Sequence, residues 1–154
     1  MLRLLLGRGL AKRRKKMDSF ETRIEAKCIE KPDNEKCWHN GMDFADDKCR
    51  AAYEANIGKI IADINDTVND LFNEPMCCGY GEDDYPRRDK VTGEWYIGDV
   101  HGYYDEIDGL ITFLVLACCV CKGEDGLEDY YGLNHFFDLE DGELVCVRFD
   151  PRAI

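Results

Sequence analysis

One compact group in the chain has residue types and spacing suited to metal chemistry: Gly98-Asp99-Val100-His101-Gly102. A carboxylate and an imidazole two residues apart can converge on one divalent ion from a turn, and the flanking glycines permit that turn. Trp95, Tyr96 and Ile97 form a short aromatic and β-branched run just before it. The expectation is a strand that delivers Asp99 and His101 at its carboxyl end, followed by a sharp turn.

Sulfur is the second chemical resource. Nine cysteines, Cys28, Cys37, Cys49, Cys77, Cys78, Cys118, Cys119, Cys121 and Cys146, are a high and odd number. They admit three readings: thiols kept reduced, one or more disulfides, or bound zinc. Cys118 to Cys121 is the nearest approach to a Cys-x-x-Cys half-site, with Cys77-Cys78 as its other half. The spacing Cys28-x8-Cys37-x11-Cys49 could staple the first segment and its loop to a following helix. Apolar neighbours around Cys118, Cys119 and Cys146 favour small core fillers instead.

Other chemistry finds little support. The chain has no Gly-x-x-x-x-Gly-Lys-Ser/Thr loop, no Gly-x-Gly-x-x-Gly and no Gly-x-Ser-x-Gly elbow, and its single serine is Ser19. A cysteine nucleophile paired with His101 or His135 is easy to draw when thiols are so many, and carries no weight from spacing alone. The acidic runs at residues 82–84 and 124–129 lack the twelve-residue calcium-loop pattern and read as solvated surface.

The elements that must position these residues follow from periodicity. Tyr53, Ile57, Ile60, Ile61, Ile64, Val68, Leu71 and Phe72 form a helical stripe, with Asn65, Asp63, Asp66 and Asp70 mainly off it. Asp46 or Asp47 can cap the start, and Pro75 lies beyond the end. Tyr104, Ile107, Ile111, Leu114 and Cys118 repeat at three or four, which predicts a second helix over residues 103–121. Phe20 and Ile24 give a weaker helical pattern that stops at Pro32, and residues 36–47 read as a loop anchored by Trp38 and Phe44. Asp141-Gly142 marks a two-residue hairpin turn that sets Leu139 opposite Leu144 and Glu140 opposite Glu143. The expected fold class is α+β: a long amphipathic helix and a second helix packed on a small, mainly antiparallel sheet with a C-terminal hairpin. Residues 18–154 are expected to form one acidic domain, with residues 74–93 as a long loop or an internal boundary.

Charge divides the chain sharply. Residues 1–17 (MLRLLLGRGLAKRRKKM) contain Arg3, Arg8, Lys12, Arg13, Arg14, Lys15 and Lys16 and no acid, against a net charge of −12 for the whole. That leaves thirteen basic and thirty-two acidic residues in the remainder. Such a body repels phosphate backbones, which argues against nucleic acid as a partner except through the basic arm. The arm reads as a targeting segment, which would make the protein mitochondrial instead of cytoplasmic, or as a docking arm for a partner. Neither its leucines nor the twelve uncharged residues from Leu110 to Cys121 are long enough to span a membrane.

Gly98-Asp99-Val100-His101-Gly102, continued by Tyr103-Tyr104-Asp105-Glu106-Ile107, resembles the first metal-binding motif of calcineurin-like metallophosphoesterases. The resemblance implies that Asp99 and His101 help to hold a pair of divalent metals, manganese, iron or zinc, that activate water for attack on a phosphate ester. Asn134-His135 is the nearest counterpart of a later motif, which makes His135 the third candidate ligand. Only three histidines occur, His39, His101 and His135, and 52 residues follow Gly102, where the family distributes further motifs over a longer domain. The preferred expectation is therefore a non-catalytic interaction or structural subunit without a cofactor, binding a basic protein or assembly. A metal-dependent phosphoesterase, or a degenerate relative of one, is the alternative.

Overall fold

The computed structural model describes residues 23–32, 41–73, 86 and 88–153. One helix, α1 (Asp47–Asn73), lies against a mixed sheet. The sheet strands are β1 (Lys27–Cys28), β2 (Met42–Phe44), β3 (Val91–Asp105), β4 (Leu110–Lys122), β5 (Glu128–Glu140) and β6 (Glu143–Ala153). The last four strands form an antiparallel meander. Both short strands run parallel to β3 along its other edge, β1 beside Glu94-Trp95 and β2 beside Val100-Gly102.

The helix forms because its apolar stripe is buried as a unit: Cys49, Tyr53, Ile60, Ile64, Val68 and Phe72 all face the sheet. Asp46 caps it, with Oδ1 accepting a 2.8 Å hydrogen bond from the amide of Cys49. At 27 residues it spans about 40 Å, enough to cross the whole meander. Its polar edge is used as well. Asn65 accepts from the Trp95 indole at 3.0 Å, Asn69 accepts from the amide of Ala26, and the Asn73 amide closes both the N–H and C=O of Ile24. Three asparagines four residues apart thus dock β1, its lead-in and β3 along one line of the helix.

The predicted second helix is absent, and this overturns the expected fold class. Residues 103–105 end β3, residues 106–109 form a turn, and β4 follows from Leu110. The Asp105 carboxylate accepts from the amides of Ile107 and Asp108, and Gly109 adopts φ 67°. β4 is apolar on both faces: Ile111, Phe113, Val115, Ala117, Cys119 and Cys121 join the core under α1, while Cys118 and Val120 are buried on the opposite side. A run that is apolar at every position contains a three-four pattern as readily as a two-residue one, so the spacing did not discriminate. Phe20 lies outside the described residues, and residues 23–32 of the weak helical pattern before Pro32 are non-helical, including β1.

The Gly98–Gly102 segment is also not a turn. It continues β3, with a bulge: Ile97 pairs Ala117 and Val100 pairs Val115, so three steps on β3 match two on β4. Gly102 is needed for packing, because a Cβ there would lie 2.6 Å from the Phe44 ring. At the other end of the meander, Asp141 (φ 49°) and Gly142 (φ 79°) make the hairpin turn, with Leu139 opposite Leu144 and Glu140 opposite Glu143.

Candidate functional site

The two faces of the sheet decide what the candidate residues can do together. His101 pairs with Leu114, on the face turned away from α1, and its side chain is 46% exposed with Nδ1 3.8 Å from Asp43 Oδ2. Asp99 sits in the bulge beside it, and its Oδ1 accepts from the amide of Gly41 at 2.6 Å. His135 pairs with Val115, one register step from Leu114 and therefore on the helix-covered face. It is fully buried, with its ring stacked on Phe137 and Phe149 at centroid distances of 6.1 and 5.9 Å. The structure thus brings Asp99 and His101 near β2, and sets His135 on the other side of the sheet.

Among the described residues, no three His, Cys, Asp or Glu side chains are grouped to hold a metal ion. The cysteine candidates are equally dispersed. Cys28 is half-buried in β1, Cys49 is buried at the start of α1, and Cys118 and Cys121 lie on opposite faces of β4. None of the six described cysteines is joined to another. Burial, then the charges of Cys121 and Cys118, holds the Cys119 thiol well above its usual range, and burial followed by Asp129 pushes Cys121 up to about 11. These are protonated core thiols at neutral pH, poor as nucleophiles. Cys37, Cys77, Cys78, His39 and the arm residues Arg3, Arg8, Lys12, Arg13, Arg14, Lys15 and Lys16 lie outside the described residues.

Two surfaces emerge that residue patterns did not announce. The outer face of the meander carries a row across all four strands, His101, Leu114, Phe136 and Arg148. Beside it runs a second row, Tyr103, Thr112, Asp138 and Val145, in which Thr112 donates to Asp138 at 2.7 Å. Leu114 and Phe136 are half-buried, and Tyr103, Val145 and Val147 are 44%, 42% and 56% exposed. Arg148 covers the Phe136 ring at 4.4 Å. Acidic residues border these rows: Asp43 beside β3, Asp105 and Glu143 at strand ends.

The second place lies under the helix, where Asp63 is half-buried instead of solvated. Its carboxylate acts on both His135 and Cys146. Burial lowers the His135 pKa to about 4, against the opposing pull of the Leu133 carbonyl and Asp63, so the ring is neutral at pH 7. Cys146 is exposed as a residue on the edge strand, yet burial of its thiol, followed by the charge of Asp63 and a hydrogen bond to it, pushes the thiol up to about 11. A protonated thiol and a weakly basic imidazole are the wrong pair for cysteine nucleophilic catalysis.

Among the described residues, the fold is that of one long helix laid on a four-stranded meander whose far edge is extended by two short parallel strands. Comparison with protein-family models, curated proteins and solved structures gives no match. Among the described residues, no helix is long and apolar enough to cross a membrane.

Proposed function

We propose that this protein is a non-catalytic interaction subunit that binds a basic, apolar-faced protein through the outer face of its sheet. The observation that carries the reading is the pair of cross-strand rows on that face. Leu114, Phe136, Tyr103 and Val145 form a continuous amphipathic strip four strands wide, extended by Val147 at the edge. Apolar strips of this kind, bordered by charge, are the usual form of a protein-binding surface. The border and the chain as a whole are acidic, which favours a cationic partner and repels nucleic acid.

Affinity capture of the native assembly with full-length protein tests this reading. The expected result is a stoichiometric basic partner, retained at low salt and lost when Val145 and Val147 are both changed to Asp. Capture that is unchanged by that double variant, or insensitive to salt, would refute the assignment of this face.

A further inference from the structure

Two turns of the meander lie at the same end, because β3 to β4 and β5 to β6 both reverse there. One carries Asp105, Glu106 and Asp108, the other Glu140, Asp141 and Glu143, and neither residues 103–112 nor residues 138–145 include a basic side chain. All six acids are exposed. Apolar side chains stand among them: Ile107 is 93% exposed on the first turn, with Tyr103 and Val145 beside it on the outer face. The opposite end of that face is already closed, since Tyr96, Cys118 and Val120 are buried there. The open half is therefore an apolar strip that runs into a strongly negative end.

One segment of the same chain has the complementary make-up. Residues 1–17 combine Arg3, Arg8 and the Lys12 to Lys16 cluster with leucines at 2, 4, 5, 6 and 10, and contain no acid. After them the chain enters the sheet at Ile24, whose side chain lies 2.9 Å from where a Cβ on Gly93 would stand and whose amide donates to Asn73. From Gly93 to Asp105 is about 40 Å along β3. Residues 1–22 precede the first described residue, Arg23, and give a reach of up to about 70 Å, with Lys12 to Lys16 up to about 23–36 Å from Arg23. That length covers the whole open half. A second copy of the acidic body fits it poorly, because like charge repels like.

We propose that residues 2–16 dock on the open outer half of their own chain, with the leucines along Tyr103, Leu114 and Val145 and the basic cluster facing the acidic turns. The inference rests on the reading of that half as a surface for cationic, apolar-faced partners, and it makes the chain its own competitor for them. A tethered segment of this length acts at an effective concentration in the millimolar range, so docking with a Kd of only about 0.1 mM as a free peptide lowers partner access about tenfold. A partner binds by displacing the arm.

The test compares full-length protein with a full-length variant carrying Lys12→Glu, Arg13→Glu, Arg14→Glu, Lys15→Glu and Lys16→Glu, with no partner present. The methyl resonances of Ile107, Leu114 and Val145 are expected to differ between the two, and those of the wild type should move toward the variant's as salt is raised to about 0.5 M. A synthetic peptide of residues 1–17 should restore the wild-type positions in the variant and saturate. It should bind the wild type about tenfold more weakly, because the surface is filled. Adding Glu140→Lys and Glu143→Lys to the variant should weaken the peptide by about threefold to tenfold. Carbodiimide cross-links from Lys12, Lys15 or Lys16 to the acids of the two turns should form within single chains in a mixture of isotopically light and heavy protein. Unchanged resonances, equal peptide binding by wild type and variant, peptide binding indifferent to the hairpin reversals, or cross-links formed between chains would each overturn the proposal. All of this is read on the isolated chain, whereas the interaction reading is tested by capture of a partner and its loss in the Val145 and Val147 double variant, so the two failures are told apart.

Discussion

The two faces of the meander are built from the same strands and follow different rules. Under α1, the inward residues of β3, β4 and β5 are large, fully buried and tightly matched: Trp95, Val100, Phe113, Val115, Leu133 and Phe137. On the outer face, the alternate residues of those strands include Leu114 and Phe136 at half burial beside His101, Thr112, Asn134 and Asp138. The difference shows what each face is for. The inner face is core along its length, whereas the outer face is buried at Tyr96, Cys118 and Val120 and keeps a mixed surface around Leu114 and Phe136.

The contrast predicts a large asymmetry in mutational cost. Phe113→Ala should destabilise by about 3–5 kcal/mol, because it removes a fully buried ring that packs edge-on against Tyr53 and leaves a cavity. Leu114→Ala, its neighbour on the other face, should cost markedly less, about 1–2 kcal/mol, since part of its surface is already wet. Urea denaturation of the two variants measures this directly. Equal costs would mean that the outer face is core too, and would remove the basis for a docking surface there.

The next contrast concerns His135, a polar side chain fully buried on the inner face. His135 is neutral in the folded protein, with its pKa lowered to about 4 from an ordinary 6.5. Between those values the unfolded chain binds the proton and the folded chain does not, so stability falls as pH drops from about 6.5 to about 4 and levels below that. The expected loss is about 3 kcal/mol across the window. His135→Phe should abolish this component of the pH dependence. A slope that survives in His135→Phe would place its source in other groups.

The seam between helix and edge is intermediate in cost. Asn73→Ala removes the side chain that closes both backbone groups of Ile24, and should cost about 1–2 kcal/mol. Amide exchange at Ile24 should accelerate, while Phe137 and Leu133, at the opposite side of the meander, keep their protection. Uniform acceleration would show that the seam and the meander open as one unit.

How much of this was readable in the chain depends on how one-sided each segment is. The stripe of α1 was legible because one face is apolar and the other is not, and the Asp141-Gly142 turn because only special residues accept positive φ at both positions. β4 was illegible for the opposite reason, since it is buried on both faces and its apolar run carries every period at once. The Gly98–Gly102 group suggested a turn because glycines bracket it, whereas Gly102 is there to admit Phe44 and the extra residue is absorbed by a bulge. Asp63 and Asn65 are placed mainly off the stripe by the sequence because they are polar, and Asn69 and Asn73 continue Asn65 along the same line of the helix. Their four-residue repeat beside the apolar stripe was the available signal that the edge of the helix also makes contact. His101 and His135 could be put on opposite faces only once the register of β3, β4 and β5 was known, because spacing along a chain does not fix pairing across it.

The smallest effect tests the outer face from within. Arg148 lies on the edge strand with its guanidinium 4.4 Å from the Phe136 ring, and it is the one basic side chain in the cross-strand row that starts at His101. At an exposed place such a contact is worth about 0.5–1 kcal/mol, so Arg148→Gln should change stability by no more than that. Its effect on binding should be opposite in sign to its effect on folding. Removing a positive charge from an acidic face, and uncovering the aromatic ring beneath it, should strengthen capture of a cationic partner and steepen its salt dependence. The same variant in a face with no partner would register only the small loss in stability. A weakened interaction instead would show that the partner is recognised by Arg148 itself, and that the acidic border does not set the sign of what this face accepts.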